Sequence, residues 1–307
     1  MTELVRYLSL ASTWMLPEWS EGPRGPTEAV LDGVAAAGYE GVQVFAGDQA
    51  ASARAAGLDV HGIGRVDSID DLAPFLDRWS DAGVSSVTVH LGTGFEDAGA
   101  GQRLVARFTE LGDAAPFEVL LETHRATITQ DPARMLGILG DHPQIRVTAD
   151  LAHWYTGVEM TYGGFDWKVD ALGPVFERTR LVHGRISETG CAQAALSEDF
   201  APTWGDPDNP AIGVPVHVGH FAALWGAMFR AVLRSSDRPE RLPFAPELLP
   251  PRSGYARAIP GPDGRLREDA DRWVQAHRLW AFAEQLFAEA RAEVRSEQRT
   301  DPTAVGS

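Results

Sequence analysis

The chain has 307 residues, 44% of them hydrophobic, and its formal net charge at pH 7 is −16. A chain of this length can bury a large core, and its acidity disfavours binding to nucleic acid or to an anionic membrane surface. The single cysteine, Cys191, excludes an intrachain disulfide and a zinc site of several cysteines. We find no signal-peptide pattern and no apolar run of membrane-spanning length, so we expect a cytoplasmic protein.

Short apolar or β-branched runs alternate with longer amphipathic stretches along the chain. Runs such as Val87-Thr88-Val89-His90-Leu91 are typical of strands in a parallel sheet, which is buried on both faces. We predict eight strands, at about 4–10, 41–46, 58–63, 85–91, 117–122, 145–150, 180–187 and 242–247.

Helical patterns with recognisable ends lie between these strands. One helix opens near Pro26 and ends at Ala37-Gly38, and another opens at an N-cap Ser68 and ends at Ala82-Gly83. Eight strands that alternate with helices predict an α/β fold, a (β/α)8 TIM barrel in one domain over residues 1–295. An open doubly wound sheet is the alternative, although no Gly-rich phosphate fingerprint follows the first strand.

Two stretches are too long for a minimal barrel. They run from Glu188 to about Val218 and from Pro250 to Arg265, after strands 7 and 8. Long loops on that face usually build a substrate pocket or a lid. The last helix is predicted from about Glu268 to Arg295 for packing, and residues 296–307 are predicted to be a disordered tail.

Four predicted strands end with metal-ligand chemistry. The residues are Glu122, Asp150, His183 and Glu247, in chain order, and each stands near the carboxyl end of its strand. One such residue alone would usually be a loop cap or a surface charge, but the carboxyl ends of barrel strands meet at one mouth. Three carboxylates and one imidazole form a hard, oxygen-rich site. We therefore predict one divalent metal ion, Mn2+ first, with Mg2+, Co2+ or Zn2+ as alternatives.

These residues resemble the ligand set of the xylose-isomerase-like (β/α)8 barrels, a family of sugar and sugar-phosphate isomerases and epimerases. The resemblance covers roughly residues 4–290, and the four residues match the ligands of its ketose 3-epimerase branch in type and order. The Asp-x-x-His pattern is also present, as Asp150 and His153. In His183-Gly184-Arg185-Ile186-Ser187-Glu188, however, Arg185 stands closer to the histidine than in the family, and Glu188 is displaced.

The resemblance implies an isomerase or epimerase for a small carbohydrate-like substrate, and a homodimer or homotetramer. It also implies that Glu122 and Glu247 are the catalytic acid/base pair. A metal would polarise the carbonyl of a hydroxy-ketone, and a carboxylate on each side of the neighbouring carbon could remove and return its proton through an enediolate. No phosphate-binding loop is evident, so we expect an unphosphorylated substrate. The candidate substrate contacts are His153, Arg185, His61, His90, His124 and Trp14.

Four of these substrate contacts have a structural alternative. His61 and His90 could be satisfied histidines of a barrel layer, Trp14 could pack at the rim, and Arg185 could pair with a ligand carboxylate. His217 and His220 precede a helix, where capping competes with a role as a fifth ligand.

Other reactions stay open for the same residues. A dehydratase or lyase could use the same enolate for β-elimination. The endonuclease branch of the family, which binds three zinc ions, is a remote alternative, because Pro215-Val216-His217 lacks its Asp and the chain is acidic. A non-catalytic metal or sugar binder is the last alternative.

Overall fold

Eight parallel strands close into a barrel in the computed structural model, which describes residues 2–300. Each strand pairs with the next along the chain, and the last pairs with the first, which confirms the (β/α)8 barrel over the open sheet. The strands are β1 Glu3–Ser9, β2 Gly41–Val44, β3 Asp59–Val66, β4 Ser86–Leu91, β5 Glu118–Glu122, β6 Arg146–Ala149, β7 Thr179–His183 and β8 Arg241–Ala245.

Helices surround the barrel. They are α1 Thr27–Ala36, α2 Gly47–Ala55, α3 Ile69–Ala82, α4 Ala98–Ala114, α5 Pro132–Asp141, α6 Leu151–Gly157, α7 Asp166–Ala171, α8 Gly173–Phe176, α9 His217–Arg234 and α10 Arg272–Thr300. Within residues 2–300, none of them combines the length and the apolar character needed to cross a lipid bilayer.

The predicted glycine turns have the expected backbone. Gly38, Gly57 and Gly83 follow α1, α2 and α3, and their φ angles of 81°, 80° and 64° lie in the left-handed region. Glycine reaches this region without steric cost, so it ends a helix readily before the next strand. Ser68 is the N-cap of α3 by position, but its hydroxyl donates to Asp71 Oδ2 at 2.6 Å instead of capping the backbone.

The last helix differs from its predicted bounds. It begins at Arg272, after the short strand β10 (Leu266–Glu268), which pairs with β9 (Ala258–Pro260) in a hairpin inside the loop after β8. It continues through Thr300, past the predicted boundary at 295. The rest of the predicted tail, 301–307, lies outside the described residues.

The barrel interior changes from apolar to polar towards the carboxyl ends of the strands. Buried Leu120, Leu181 and Ala245 belong to one small apolar cluster inside the barrel. Each stands two positions before a residue of the predicted site, namely Glu122, His183 or Glu247. Side chains two apart in a strand point the same way, so the predicted site lies one layer above this cluster.

The glycine after His183 makes room for a core aromatic ring. A Cβ at Gly184 would overlap the Phe244 ring, which is fully buried and lies 5.2 Å from the Trp225 ring. We expect Gly184→Ala to lower the free energy of unfolding by about 1–3 kcal/mol, because the ring cannot yield freely. Urea denaturation would measure this loss. Gly190→Ala is the matched control, since a Cβ there meets no atom within 4 Å; equal losses in both variants would contradict the overlap.

The two long loops meet each other through Glu188. Arg257, in the loop after β8, donates to Glu188 Oε2 at 2.6 Å, and Trp204 donates to its Oε1 at 2.6 Å. Both loops follow strands at the carboxyl end of the barrel, on the face that carries the predicted site. They therefore lie on the same side of the barrel as the predicted site.

Candidate metal centre

The barrel brings the four predicted ligands together at its mouth. Each of Glu122, Asp150, His183 and Glu247 offers a ligand atom, and these atoms all lie within 4.8 Å of one another. All four side chains are buried, and Glu247, at 6% exposure, is the most open. His183 Nδ1 lies 3.4 Å from Glu122 Oε1 and 3.8 Å from both Asp150 Oδ2 and Glu247 Oε2. Ligands that share an ion at about 2.0–2.2 Å are separated by comparable distances.

Neighbouring groups hold the outer atoms of three of these side chains, and two of the inner atoms have no hydrogen-bond partner. Gln43, on β2, hydrogen-bonds His183 Nε2 at 2.9 Å, and Glu122 Oε2 lies 2.6 Å from His90 Nε2. Asp150 Oδ1 caps α6 by accepting from the backbone of Ala152 at 3.0 Å. By contrast, Glu122 Oε1 and His183 Nδ1 are buried without a hydrogen-bond partner. Outer partners of this kind orient metal ligands, so the donor set fits a cation at the centre.

The charge of the cluster also fits a divalent ion. Arg185, which is 0% exposed, donates through one nitrogen to Asp150 Oδ2 and places that nitrogen 3.5 Å from Glu247 Oε2. One guanidinium among three carboxylates leaves two negative charges if the histidines are neutral. Buried charge that lacks compensation is costly, and one divalent cation would balance it.

The pKa values show how protons respond to this charge. Burial alone would lower the pKa of His183, but the carboxylates of Glu247 and Glu122 raise it to about 9. Burial raises the pKa of Asp150 to about 6, although Arg185 opposes the shift. Burial would also raise the pKa of Glu122, but cationic His90 and His183 hold it well below its usual range. The site therefore attracts positive charge, either as protons or as a metal ion.

Three of the predicted substrate contacts pack against one another beside this centre, with tilted rings. The His124 ring lies 4.4 Å from the His90 ring and 3.8 Å from the His153 ring. His153 Nε2 is 3.5 Å from Asp150 Oδ2, and the Nδ1 atoms of His124 and His153 are buried without a partner. Burial lowers the pKa of His124 to about 3 and the pKa of His153 well below its usual range. Both rings are therefore neutral and free to bond a ligand.

His90 and His124 also share a second grouping with Glu122. Their ligand atoms again lie within 4.8 Å of one another. The remaining histidines that the endonuclease alternative would use are elsewhere: His217 lies beside Glu188 at 3.9 Å, and His61 is deeper in the barrel. Within residues 2–300, the full set for three zinc ions is therefore not assembled.

The structure does not bring His61 to the mouth. Its Nδ1 hydrogen-bonds the Ser86 hydroxyl, and its Nε2 lies 2.7 Å from Thr88 Oγ1. Ser86, Thr88 and His90 alternate along β4, so His61 lies a layer below His90, and burial lowers its pKa to about 3. These contacts match the barrel-layer alternative for His61.

Trp14 and His220 also have partners away from the four ligands. The Trp14 ring packs on Phe45 at 4.6 Å, as the rim alternative predicts. His220 stacks on Phe165 at 3.7 Å and hydrogen-bonds the Tyr155 hydroxyl at 2.9 Å. We find neither side chain among the residues grouped around the centre.

Sequence reasoning missed two residues of the site. Gln43 is a polar residue inside the buried strand Gly41–Val44. A polar residue in an apolar strand could have predicted a side chain that points into the barrel. Tyr255 stands in the loop after β8 and gave no signal. Its ring makes an edge contact with His153 at 5.8 Å, and the guanidinium carbons of Arg185 and Arg125 lie 4.8 and 5.1 Å from its centre. Tyr255 therefore covers part of the centre.

A scan against protein-family models and a search of curated proteins found no match. Among solved structures, an L-ribulose 3-epimerase is similar, with a TM-score of 0.60, 15% identity and coverage of 99% of each chain. A D-allulose 3-epimerase from Methylomonas sp. has a TM-score of 0.56 at 14% identity, covering 93% of this chain and 99% of its own.

A third similar structure is a xylose isomerase-like TIM barrel protein from Mycobacterium smegmatis, solved in complex with magnesium. Its TM-score is 0.52 at 11% identity, and the match covers 92% of this chain and 96% of the other. Identities this low carry the fold and not the activity. The chain has the fold of the xylose isomerase-like TIM barrels, as the resemblance of its ligand residues predicted.

Proposed function

We propose that the protein is a divalent-metal-dependent isomerase or epimerase that acts on a carbohydrate-like hydroxy-ketone. The observation that carries the proposal is the buried convergence of Glu122, Asp150, His183 and Glu247 at the barrel mouth. Similarity to ketose 3-epimerases supports this reaction class. Mn2+ is the ion we expect first, because carboxylate and imidazole ligands both suit it. Mg2+, Co2+ and Zn2+ are the alternatives. A homodimer or homotetramer stays a prediction.

The proposed reaction moves one proton on a carbon beside a carbonyl. A divalent cation, when bound, supplies the positive charge that makes that C–H acidic. Glu122 ends β5 and Glu247 follows β8, three strands away around the barrel, so one can remove the proton and the other can return it on the other face. His90 holds Glu122 in place through its 2.6 Å contact and acts as a positioning residue.

Other residues would bind and enclose the substrate. Neutral His124 and His153 present free Nδ1 atoms for substrate hydroxyl groups. Tyr255, which packs against His153 and Arg185, would exclude water from the reacting carbon.

Solvent exchange tests this proposal directly. We would strip the protein with a chelator, reload it with Mn2+ or Mg2+, count the metal per chain by mass spectrometry, and incubate it with ketoses such as D-fructose in D2O. We expect one ion per chain and deuterium at a carbon beside the carbonyl, seen by NMR, only in the loaded protein. A protein that binds no metal after reloading, and exchanges no proton, would refute the proposal.

Metal affinity should depend on pH. His183, with a pKa raised to about 9, carries a proton at neutral pH that a metal on Nδ1 must displace. The unprotonated fraction grows as pH rises, so we expect Mn2+ affinity to increase about tenfold per unit between about pH 7 and about pH 8.5. Titration calorimetry in a series of buffers would measure the slope and the proton released. A flat profile would mean that His183 is not a ligand.

A lyase is the second candidate, and Tyr255 is the observation that favours it. Burial raises the pKa of the Tyr255 hydroxyl, so this group keeps its proton over the centre and could donate it to a leaving group. β-Elimination would then use the same proton removal. A product that has lost water or an alcohol, detected by mass spectrometry, would assign the lyase reaction; an isomer of unchanged mass would assign the isomerase.

A further inference from the structure

We infer that Arg185 and Arg125 form a subsite for a carboxylate of the substrate. The substrate would then be a hydroxy-keto acid of the sugar-acid class and not a neutral sugar. This inference rests on the proposed function, because it names the substrate of the same site.

Arg185 has hydrogen-bond donors that the protein does not use. Its side chain is 0% exposed, and one terminal nitrogen donates to Asp150 and lies 3.0 Å from His153 Nε2. Its Nε and its other terminal nitrogen are buried and have no partner. Pairing with Asp150 therefore uses only one of the three guanidinium nitrogens. Buried donors on a charged group are rarely left unpaired, and free ones beside a reaction centre point to a ligand atom.

Arg125 is a second cation without a protein anion. Within residues 2–300, its guanidinium forms no ion pair or hydrogen bond, and its described contact is the Tyr255 ring. It lines a cavity of about 430 Å3 between the loops after β5, β7 and β8, with Tyr255 and Arg257. Arg257 differs because it pairs with Glu188 at 2.6 Å. Arg125 is thus the arginine of this cavity whose charge is available to a ligand.

The Tyr255 ring contacts both arginines. The guanidinium carbons of Arg185 and Arg125 both lie against its ring, at 4.8 and 5.1 Å from the centre. Cation–π attraction stabilises both contacts, and Tyr255 itself lines the cavity together with Arg125. The planar guanidinium matches a carboxylate with two parallel hydrogen bonds, so these two groups can clamp one anion.

The charge balance favours a monoanion. Three carboxylates, two guanidinium groups and one divalent ion leave one positive charge when the histidines are neutral. A carboxylate neutralises it, whereas a phosphate dianion would leave an excess of negative charge. The chain as a whole carries −16 and repels anions, so an anionic substrate needs such a local positive site.

Three ketoses with one carbon skeleton test the subsite. D-fructose, 2-keto-D-gluconate and D-fructose 1-phosphate share their configuration and carry a hydroxymethyl, a carboxylate or a phosphate-bearing group at one end. We would titrate each into the Mn2+-loaded protein by calorimetry. We expect the keto acid to bind about tenfold tighter than D-fructose, as a charge-assisted pair allows. Equal affinities would overturn the inference, and tightest binding of the phosphate would overturn its carboxylate assignment.

Single substitutions test which arginines cause the tighter binding of the keto acid. Arg125→Met should reduce the keto-acid preference to about twofold or less. Arg185→Lys keeps a charge beside Asp150 but loses the free N–H groups, so it should reduce the preference while metal content stays at one per chain. Arg257→Met is the matched control in the same cavity and should keep the preference. Full preference in both the Arg125 and Arg185 variants would overturn the subsite.

The measurements also separate this inference from the proposed function. Metal binding and solvent exchange with D-fructose, without a preference for the acid, would leave the function standing and remove the carboxylate subsite. Tight binding of the keto acid by protein that takes up no metal on reloading and exchanges no proton would keep the subsite and remove the proposed reaction.

Discussion

Replacing Asp150 with asparagine should lower Mn2+ affinity by roughly 100-fold or more, because the site loses a charged ligand. The helix cap should survive, since an amide oxygen can accept from the backbone of Ala152 as Asp150 Oδ1 does at 3.0 Å. Wild-type protein at 100 times its dissociation constant should gain about 2.7 kcal/mol of stability from the ion. The variant should gain almost none at the same Mn2+ concentration, as thermal unfolding with and without Mn2+ would report.

The control for this change is the same substitution at another helix cap. Asp131 caps α5 by accepting from the backbone of Arg134 at 2.8 Å, and it stands outside the metal centre. Asp131→Asn should keep the full stabilisation by Mn2+. If Asp150→Asn kept it too, Asp150 would not be a ligand. If both variants lost it, the loss would not be specific to the metal centre and would not identify Asp150 as a ligand.

The four candidate ligands could be predicted from the positions of the strand ends alone. Glu122 and His183 are the last residues of their strands, and parallel strands of a closed barrel expose their carboxyl ends at one mouth. Depth within the barrel could not be predicted in the same way. His61 and His90 both stand in strands, but β3 is staggered against β4 so that His61 is level with Ser86 and His90 with Arg65. That register, and not the residue type, separates the buried histidine from the one at the mouth.

Loop residues were the harder part of the site. Tyr255 follows Gly254 in a stretch without a hydrophobic period, so nothing local indicates where its ring lies. Its position depends on contacts between loops, such as the pairing of Arg257 with Glu188 across the two long segments. Arg185 could be singled out from its place after His183, but its ion pair and its unused donors both depend on the fold.

Glutamine at either candidate base should lower the turnover number by about 100- to 10,000-fold. Glu122→Gln and Glu247→Gln each keep an oxygen for the metal but cannot take up a proton, so the proton path should break on one face of the substrate. The measurement is deuterium exchange in D2O at saturating Mn2+. It uses, in separate reactions, the two epimers that the proposed reaction would interconvert, with metal content recorded for each variant.

The pattern of exchange distinguishes two bases from one. If Glu122 and Glu247 serve opposite faces, each variant should still exchange the proton of one epimer without inverting it, and the two variants should choose different epimers. Glu118→Gln is the matched control on β5, because Glu118 is exposed at the far end of the strand that carries Glu122 and should keep both reactions. Exchange of the same epimer in both variants would mean that only one face has a base. Loss of all exchange in one variant, with its metal retained, would make the other glutamate a ligand alone.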